Sequence, residues 1–181
     1  MRWQNTNASW GWISILFHWL SALVIVGLFI LGLWMVDLTY YDDWYRTAPD
    51  IHRSLGMLLL FATLMRWLWR RFNTLPDDLQ NHKPWERQAA HYAHMAMYIL
   101  LFAILVSGYL ISTADGRSVQ IFNWFEIPAS LHGIKNQEDI AGEIHFVLAV
   151  SLIILAVIHT AGALKHHFID RDNTLKRISG K

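Results

Sequence analysis

The chain has 181 residues, 54% of them hydrophobic and ten of them Trp, with a formal net charge of +1 at pH 7. A protein that binds nucleic acid through phosphate contacts would carry a basic stripe, so this charge balance argues against nucleic acid. The absence of cysteine excludes disulfides, thiolate metal sites and iron–sulfur clusters. Several apolar runs approach the ~20 residues that a helix needs to cross ~30 Å of hydrocarbon, which predicts an integral membrane protein.

Four apolar segments are each long enough to cross a bilayer once, and only helices satisfy their backbone groups in lipid. The first segment lacks a small-residue cleavage pattern, so we expect a retained span and not a signal peptide. Prolines mark the later boundaries. The sequence therefore predicts an all-α membrane four-helix bundle, forming one domain over residues 1–181. The predicted helices cover residues 12–36, 51–69, 89–112 and 141–164.

The basic residues predict the orientation of this bundle. With both termini on one side, that side holds eleven of the fifteen lysines and arginines. The positive-inside bias then places the N- and C-termini in the cytoplasm. The opposite side keeps only Arg46, Arg53, Arg117 and Lys135, and its loops carry nine acidic residues. We therefore expect an acidic outer face.

Histidines occur on every predicted helix. The first helix has His18 roughly two turns inside its cytoplasmic end. The second has His52 at its outer end, and the third has His91 and His94 at its cytoplasmic end. Ionisable side chains inside a bilayer are costly and usually face the bundle interior, so each of these histidines is a candidate site residue.

The fourth helix carries two histidines, His145 near its outer end and His159 near its inner end, fourteen residues apart. At ~1.5 Å and ~100° per residue, the two side chains are ~21 Å apart and within ~40° of one helix face. One face thus presents a ligand in each leaflet. Because His52 and His145 both lie near the outer ends of their helices, we expect these two histidines to form a pair.

Depth alone does not identify the partner of His159 on the inner side, which is either His18 or one of His91 and His94. Zinc or copper suits two imidazoles poorly, since zinc prefers four ligands and the apolar interior of the spans offers no Cys, Asp or Glu to complete the site. Haem iron brings its own equatorial ligands and takes two axial imidazoles. The chain has no cysteine for covalent attachment, so these residues favour two haem b groups. The alternative is hydrogen-bonded imidazoles without metal.

Two further features favour haem. Each haem carries two propionates that attract cations, and Arg53 directly follows His52, while Arg66 lies roughly one or two turns inside the inner end of the second helix. Glycines leave room for a flat ring against a helix, although small residues also mark ordinary close packing. Those nearest the histidines or lining the other helices are Gly27, Gly32, Gly56, Gly108, Gly142 and Gly162.

Five stretches together carry a family resemblance. They are "FHWLSA" and "IHRSLG" opening the first two helices, "AAHYAHMAMY" on the third, the H-x13-H spacing of the fourth, and the tail "ALKHHFIDRDNTLKRI". With these, the chain resembles the bacterial cytochrome b561 family over nearly its whole length, and more distantly the di-haem cytochrome b subunits of formate dehydrogenases and nickel-iron hydrogenases. The resemblance implies a bacterial inner-membrane protein.

The resemblance also implies the ligand pairs, with His18 and His159 as axial ligands of the inner haem iron and His52 and His145 as those of the outer one. The third helix then supplies no ligand. Its two histidines, His91 and His94, become candidates for a cytoplasmic-side quinone site or packing residues.

Two stacked haems form an electron path across the bilayer, and six-coordinate iron leaves no position for substrate. We expect electron exchange between a periplasmic donor and the quinone pool. The resemblance implies an oxidoreductase, and some bacterial members oxidise superoxide and reduce ubiquinone. Nine acids against four bases on the outer side argue against steering of the superoxide anion. One alternative is an electron-transfer or docking subunit for a separate periplasmic redox or quinone-binding protein, and another is a haem-free transporter or metal-binding membrane protein.

Overall fold

The computed structural model describes residues 2–79 and 82–180 of the chain. Four long helices make up most of it, and a short helix follows the fourth. A two-stranded antiparallel sheet lies between the third and fourth helices. The elements in chain order are α1 (Trp12–Met35), α2 (Thr47–Phe72), α3 (Pro84–Ser112), β1 (Val119–Ile121), β2 (Phe125–Ile127), α4 (Gln137–Phe168) and α5 (Thr174–Ile178).

Three of the long helices, α1, α3 and α4, are long and apolar enough to cross a membrane. Helix α2 is not among them within the described residues, because charges interrupt its apolar run: Asp50 and Arg53 near its start and Arg66, Arg70 and Arg71 towards its end. The chain is thus a helical membrane protein. The predicted span over residues 51–69 is a helix, and its crossing of the membrane stays a prediction.

The helices extend beyond most of the predicted limits, because polar helix-forming residues continue the turns past the apolar runs. Helix α2 starts at Thr47 and not at residue 51, and Pro49 lies inside its first turn, where the missing N–H costs no hydrogen bond. Pro84 opens α3 in the same way, and the Glu86 side chain accepts a hydrogen bond from the backbone N–H of Lys83 at 2.9 Å. Only α1 ends earlier than predicted, at Met35.

The small sheet corrects the prediction of an all-α fold. Its strands pair Val119 with Ile127 and Ile121 with Phe125. Val119 and Ile121 are 3% and 0% exposed because they pack with Met57 of α2. Strands of three residues are too short to give a visible alternation of apolar and polar residues, so no sequence pattern indicated this sheet.

The core lies where the four long helices meet, with the most extensive contacts between α3 and α4 and between α1 and α2. Each helix contributes apolar side chains to one cluster, among them Leu28, Leu59, Leu101 and Leu152. Many other large apolar side chains are exposed on the outside of the helices. A continuous apolar exterior of this kind is expected of helices that face lipid.

Candidate functional site

The outer histidines predicted to form a pair face each other across the helix bundle. The rings of His52 on α2 and His145 on α4 have centroids 6.1 Å apart, with their planes inclined at 66°. Two imidazoles on opposite sides of a metal ion, with metal–nitrogen bonds of about 2 Å, have ring centres about 6 Å apart, whereas a tetrahedral angle brings them to about 5 Å. The observed spacing therefore suits one metal ion held between these two rings.

Helix α3 orients one of these rings. Nδ1 of His145 is 2.9 Å from the carbonyl oxygen of Ile104 and 3.1 Å from Oγ of Ser107. A carbonyl only accepts, so Nδ1 carries the proton and donates it to Ile104. The lone pair is then on Nε2, which is the tautomer that a metal-binding imidazole needs. Neither Ile104 nor Ser107 gave a signal in the sequence, because the contact joins residues about forty positions apart.

Glycines let two helix backbones approach the same rings. A Cβ atom at Gly32 of α1 would lie 3.2 Å from Cε1 of His52, and one at Gly108 of α3 would lie 3.1 Å from Cε1 of His145. Both distances are tighter than ordinary carbon contacts. Nδ1 of His52 is buried and has no hydrogen-bond partner among the described residues. The site is therefore shaped closely around the two imidazoles.

A cavity of about 700 Å³ adjoins this pair and is lined by residues of all four long helices, including His52 and His145. Its size falls within the range of cofactor and ligand pockets. Two arginines, Arg53 and Arg117, line both this cavity and a more polar cleft beside it. The cavity is thus apolar around the histidines and cationic at part of its rim.

Both rim arginines are paired with aspartates. Arg53 forms an ion pair with Asp50, and Nε of Arg117 donates to Oδ2 of Asp115 at 2.6 Å. The hydrogen bonds from Arg117 hold the pKa of Asp115 below its usual range, and the same contacts raise the pKa of Arg117. Arg53 therefore lies where it was predicted, beside the outer pair, with its charge partly balanced by Asp50.

The inner histidines lie closer together than the outer ones. The rings of His94 on α3 and His159 on α4 have centroids only 5.0 Å apart, and their planes are inclined at 64°, much as in the outer pair. Nη2 of Arg66 is 3.4 Å from Nδ1 of His18. The guanidinium of Arg66 lies over the ring of Tyr98, 5.5 Å from its centre. We call these five residues the inner cluster.

The two histidines of α3 separate in the structure. His94 belongs to the inner cluster, whereas His91 is exposed on the helix surface beside Tyr92. Of the three partners left open by depth, His94 is the one whose ring contacts His159 among the described residues, while His18 contacts Arg66. Tyr98 was missed as a member of the cluster, because an aromatic residue at a helical position gives no signal beyond packing.

The inner and outer sites together give the chain histidine groups at two depths. Both are enclosed by helices, and both have arginines close by. Imidazoles that face one another in apolar surroundings can hold a metal-centred cofactor that is shielded from water. Within the described residues, seven of the eight predicted site residues thus fall in two groups, and His91 lies apart from both.

Comparisons with known proteins identify the family of the chain. The family model described as prokaryotic cytochrome b561 matches residues 9–181. Cytochrome b561 homolog 2 of Escherichia coli is 52% identical over 181 residues, covering 100% of this chain and 96% of the relative. A protein named probable superoxide oxidase from Yersinia pestis is 27% identical over 170 residues, covering 93% and 94%. Cytochrome b561 homolog 1 of Escherichia coli is 24% identical over 179 residues, covering 98% and 96%.

Proposed function

The chain belongs to the prokaryotic cytochrome b561 family of membrane electron-transfer proteins, and we propose that it binds two haem b groups and passes electrons between a periplasmic donor and the membrane quinone pool. The observation that carries this proposal is the 6.1 Å spacing of the His52 and His145 rings. It matches the spacing of about 6 Å expected when one iron lies between two imidazoles.

The residues of the outer site fit a haem in three further respects. His145 has Nε2 free for a metal because Nδ1 bonds to Ile104. Gly32 and Gly108 leave room for the imidazoles, and the adjoining cavity of about 700 Å³ is of cofactor size. Haem, when bound, supplies reversible one-electron chemistry. The chain holds the ligands in place, excludes water from them and offers Arg53 to a propionate.

For the inner haem, the proposed axial ligands are His18 and His159. The 5.0 Å between the ring centroids of His94 and His159 is about 1 Å shorter than expected for two imidazoles on opposite sides of one haem iron, so His18, the partner that the family resemblance implies, is the proposed ligand. Nη2 of Arg66 is 3.4 Å from Nδ1 of His18 and can only donate to it. We propose that Arg66 pairs with a propionate when haem is bound, which would let His18 carry its proton on Nδ1 and bind iron through Nε2. Each proposed ligand thus comes from α1, α2 or α4, and α3 orients His145.

The proposed quinone site lies on the same inner side. His94 is in the inner cluster and is the better candidate to hydrogen-bond a quinone carbonyl and pass it a proton. His91 is exposed on the surface that we assign to lipid, where a ubiquinone-type quinone would approach. Both roles rest on position alone.

The charged residues at the outer rim of the cavity bear on the identity of the electron donor. The relative in Yersinia pestis is named as a probable superoxide oxidase, and Arg53 and Arg117 at the rim would attract an anion of that kind. Their aspartate partners weaken this attraction. Asp115, Glu138, Asp139 and Glu143 also line the cavity. This acidic lining favours a second candidate function, an electron-transfer subunit that docks a basic periplasmic redox or quinone-binding protein.

The same proposal includes the membrane arrangement. All four long helices would cross the bacterial inner membrane, with both termini in the cytoplasm and residues 1–181 forming one domain. Helix α2 is supported as the fourth span by its buried residues Leu59 and Thr63, which lie along its middle, and by its contacts with α1 and α3. Its charged residues are concentrated towards its two ends, where side chains can reach the interfaces.

The proposed function is tested by following electrons through the purified, haem-loaded protein. Mixing it with a superoxide-generating system and ubiquinone should reduce the b-type absorption bands and then yield ubiquinol. Reduction by a basic periplasmic protein, with no response to superoxide, would favour the docking subunit instead. Protein without a Soret band would overturn both, and would favour a haem-free transporter or metal-binding protein.

A further inference from the structure

A second group of histidines and carboxylates lies away from the proposed haem sites, where α3 begins and α4 ends. His82 precedes α3, His166 is in the last turn of α4, and Asp172 is in the loop between α4 and α5. Although His82 and Asp172 are ninety positions apart, Nε2 of His82 is 2.8 Å from Oδ2 of Asp172. Nδ1 of His166 is 3.2 Å from the same oxygen. The three side-chain ligand atoms all lie within 4.8 Å of one another.

The contacts of His166 lack the geometry of hydrogen bonds. Its Nδ1 is 2.8 Å from Oδ2 of Asp170 and 3.2 Å from Oδ2 of Asp172, yet it is buried and has no hydrogen-bond partner among the described residues. A buried polar nitrogen without a partner is costly. Its lone pair is therefore available to a cation placed among these atoms.

The carboxylate of Asp172 is also positioned to bind a cation. Its side chain is only 2% exposed. The backbone N–H of Thr174 donates to Oδ1 at 2.8 Å, which leaves Oδ2 directed at the two histidines. A buried carboxylate requires a cationic partner or several hydrogen bonds. This orientation is the one expected of a carboxylate that binds a metal through one oxygen.

The group has an excess of negative charge when both histidines are neutral. Lys165 is 2.6 Å from Glu86 and 2.7 Å from Asp170 through its Nζ atom. With Asp172, the cluster has three carboxylates and one ammonium when both histidines are neutral. A divalent cation would balance the two excess negative charges, as would protonation of His82 and His166 together.

We propose that His82, His166 and Asp172 bind a divalent transition-metal ion of the zinc type. Two imidazole nitrogens and one carboxylate oxygen are ligands that zinc takes readily, whereas magnesium and calcium prefer oxygen alone. Tetrahedral coordination with bonds of about 2 Å places neighbouring donor atoms about 3.3 Å apart, close to the 2.8 and 3.2 Å found here. Water or Asp170 completes the fourth position.

The consequence of this site is a clamp between two distant parts of the chain. It joins the connection before α3 to the segment between α4 and α5, which otherwise meet through side-chain contacts such as that of Thr174 with His82 at 3.2 Å. Metal binding of this kind contributes directly to folding stability. The clamp does not depend on either proposed haem.

The test uses the full-length, haem-loaded protein, purified without a histidine tag and washed with a chelator. Zn²⁺ is titrated in competition with a chromophoric chelator, and bound metal is counted by mass spectrometry. We expect one tight zinc per chain. In Asp172→Asn and His82→Ala the affinity should fall on the order of 100-fold or more, since even loss of a group that supports a ligand costs 10–100-fold. His167→Ala is the matched control, because it adjoins His166 outside the group, and should bind zinc like the wild type.

Zinc affinity of the wild type equal to that of Asp172→Asn would overturn the proposal and leave a protonated hydrogen-bonded network. Unchanged haem absorption and helical circular dichroism verify that each variant is folded. Should His82→Ala fail this control, His82→Gln can still hydrogen-bond Asp172 but binds zinc poorly, so it provides the same comparison. X-ray absorption at the zinc edge should then give nitrogen and oxygen ligands at about 2.0 Å, and a shell of waters alone would contradict the site.

Discussion

The ring centroids of the outer histidines, His52 and His145, are 6.1 Å apart, whereas those of His94 and His159 at the inner end are 5.0 Å apart. His18, also at the inner end, contacts Arg66. The outer pair has a fixed tautomer at His145 and two close glycine backbones. The inner group instead has an arginine and a tyrosine between its helices. The difference suggests two tasks, a site built tightly around an iron and a site that also exchanges protons and quinone.

Replacing Gly32 with a larger residue should prevent haem binding at the outer site and leave the inner site unchanged. In Gly32→Val the new side chain would collide with His52, so we expect the chain to lose most of one haem out of two. Gly27→Val on the same helix is the matched control, because its Cβ would meet no atom within 4 Å. The haem-to-polypeptide ratio measures both. Equal haem loss in both variants would show that the glycine contact is not specific.

The inner site can be tested with His94→Phe. If His94 serves quinone and not iron, both haems remain, while quinone reduction slows on the order of 100-fold, as for the loss of a general acid. Haem content and stopped-flow quinone kinetics measure the two effects. Loss of one haem in this variant would make His94 the partner of His159 and would contradict the assignment of His18.

A smaller effect should come from Ser107→Ala. The hydroxyl is 3.1 Å from Nδ1 of His145, while Ile104 still accepts the proton at 2.9 Å. We expect both haems to stay bound and the midpoint potential of one to rise by about 40 mV, corresponding to a hydrogen bond of about 1 kcal/mol. A redox titration measures this shift. No shift at either haem would mean that Ser107 does not influence the outer site.

The smallest effect is expected at the rim. Because Arg117 is already paired with Asp115, Arg117→Gln should slow reduction by superoxide only by about twofold to threefold, with a weaker dependence on ionic strength. Lys135→Gln in the same outer region controls for the general loss of one positive charge. An equal decrease of the reduction rate in both variants would show that Arg117 contributes no more than any single positive charge in the outer region.

Depth matching predicted that His52 and His145 lie close together, and their ring centroids are 6.1 Å apart, while their role as haem ligands stays a prediction. The sequence predicted the helices too, although their ends shifted where polar residues continue a turn, as at Thr47 of α2. The strands could not be predicted, since three residues carry too short a pattern. The contact between Ile104 and His145 joins two helices, and no local signal encodes it.

The group of His82, His166 and Asp172 was also missed in the sequence, because no local signal relates these residues. His82 and Asp172 lie in connecting segments ninety positions apart, so neither periodicity nor depth relates them. The inner partner of His159 could not be derived either, because three histidines share that depth. Only packing distinguishes them, and it brings His94 to His159 while leaving His91 exposed.

The most direct measurement of the central claim is the haem content per chain, by pyridine haemochrome assay, of the wild type, His52→Ala and His159→Ala, with His132→Ala as an outer-loop control. The account predicts two haem b in the wild type and the control and about one in each of the other variants. No haem in the wild type, or a ratio that neither substitution lowers, would contradict the two histidine pairs as haem ligands.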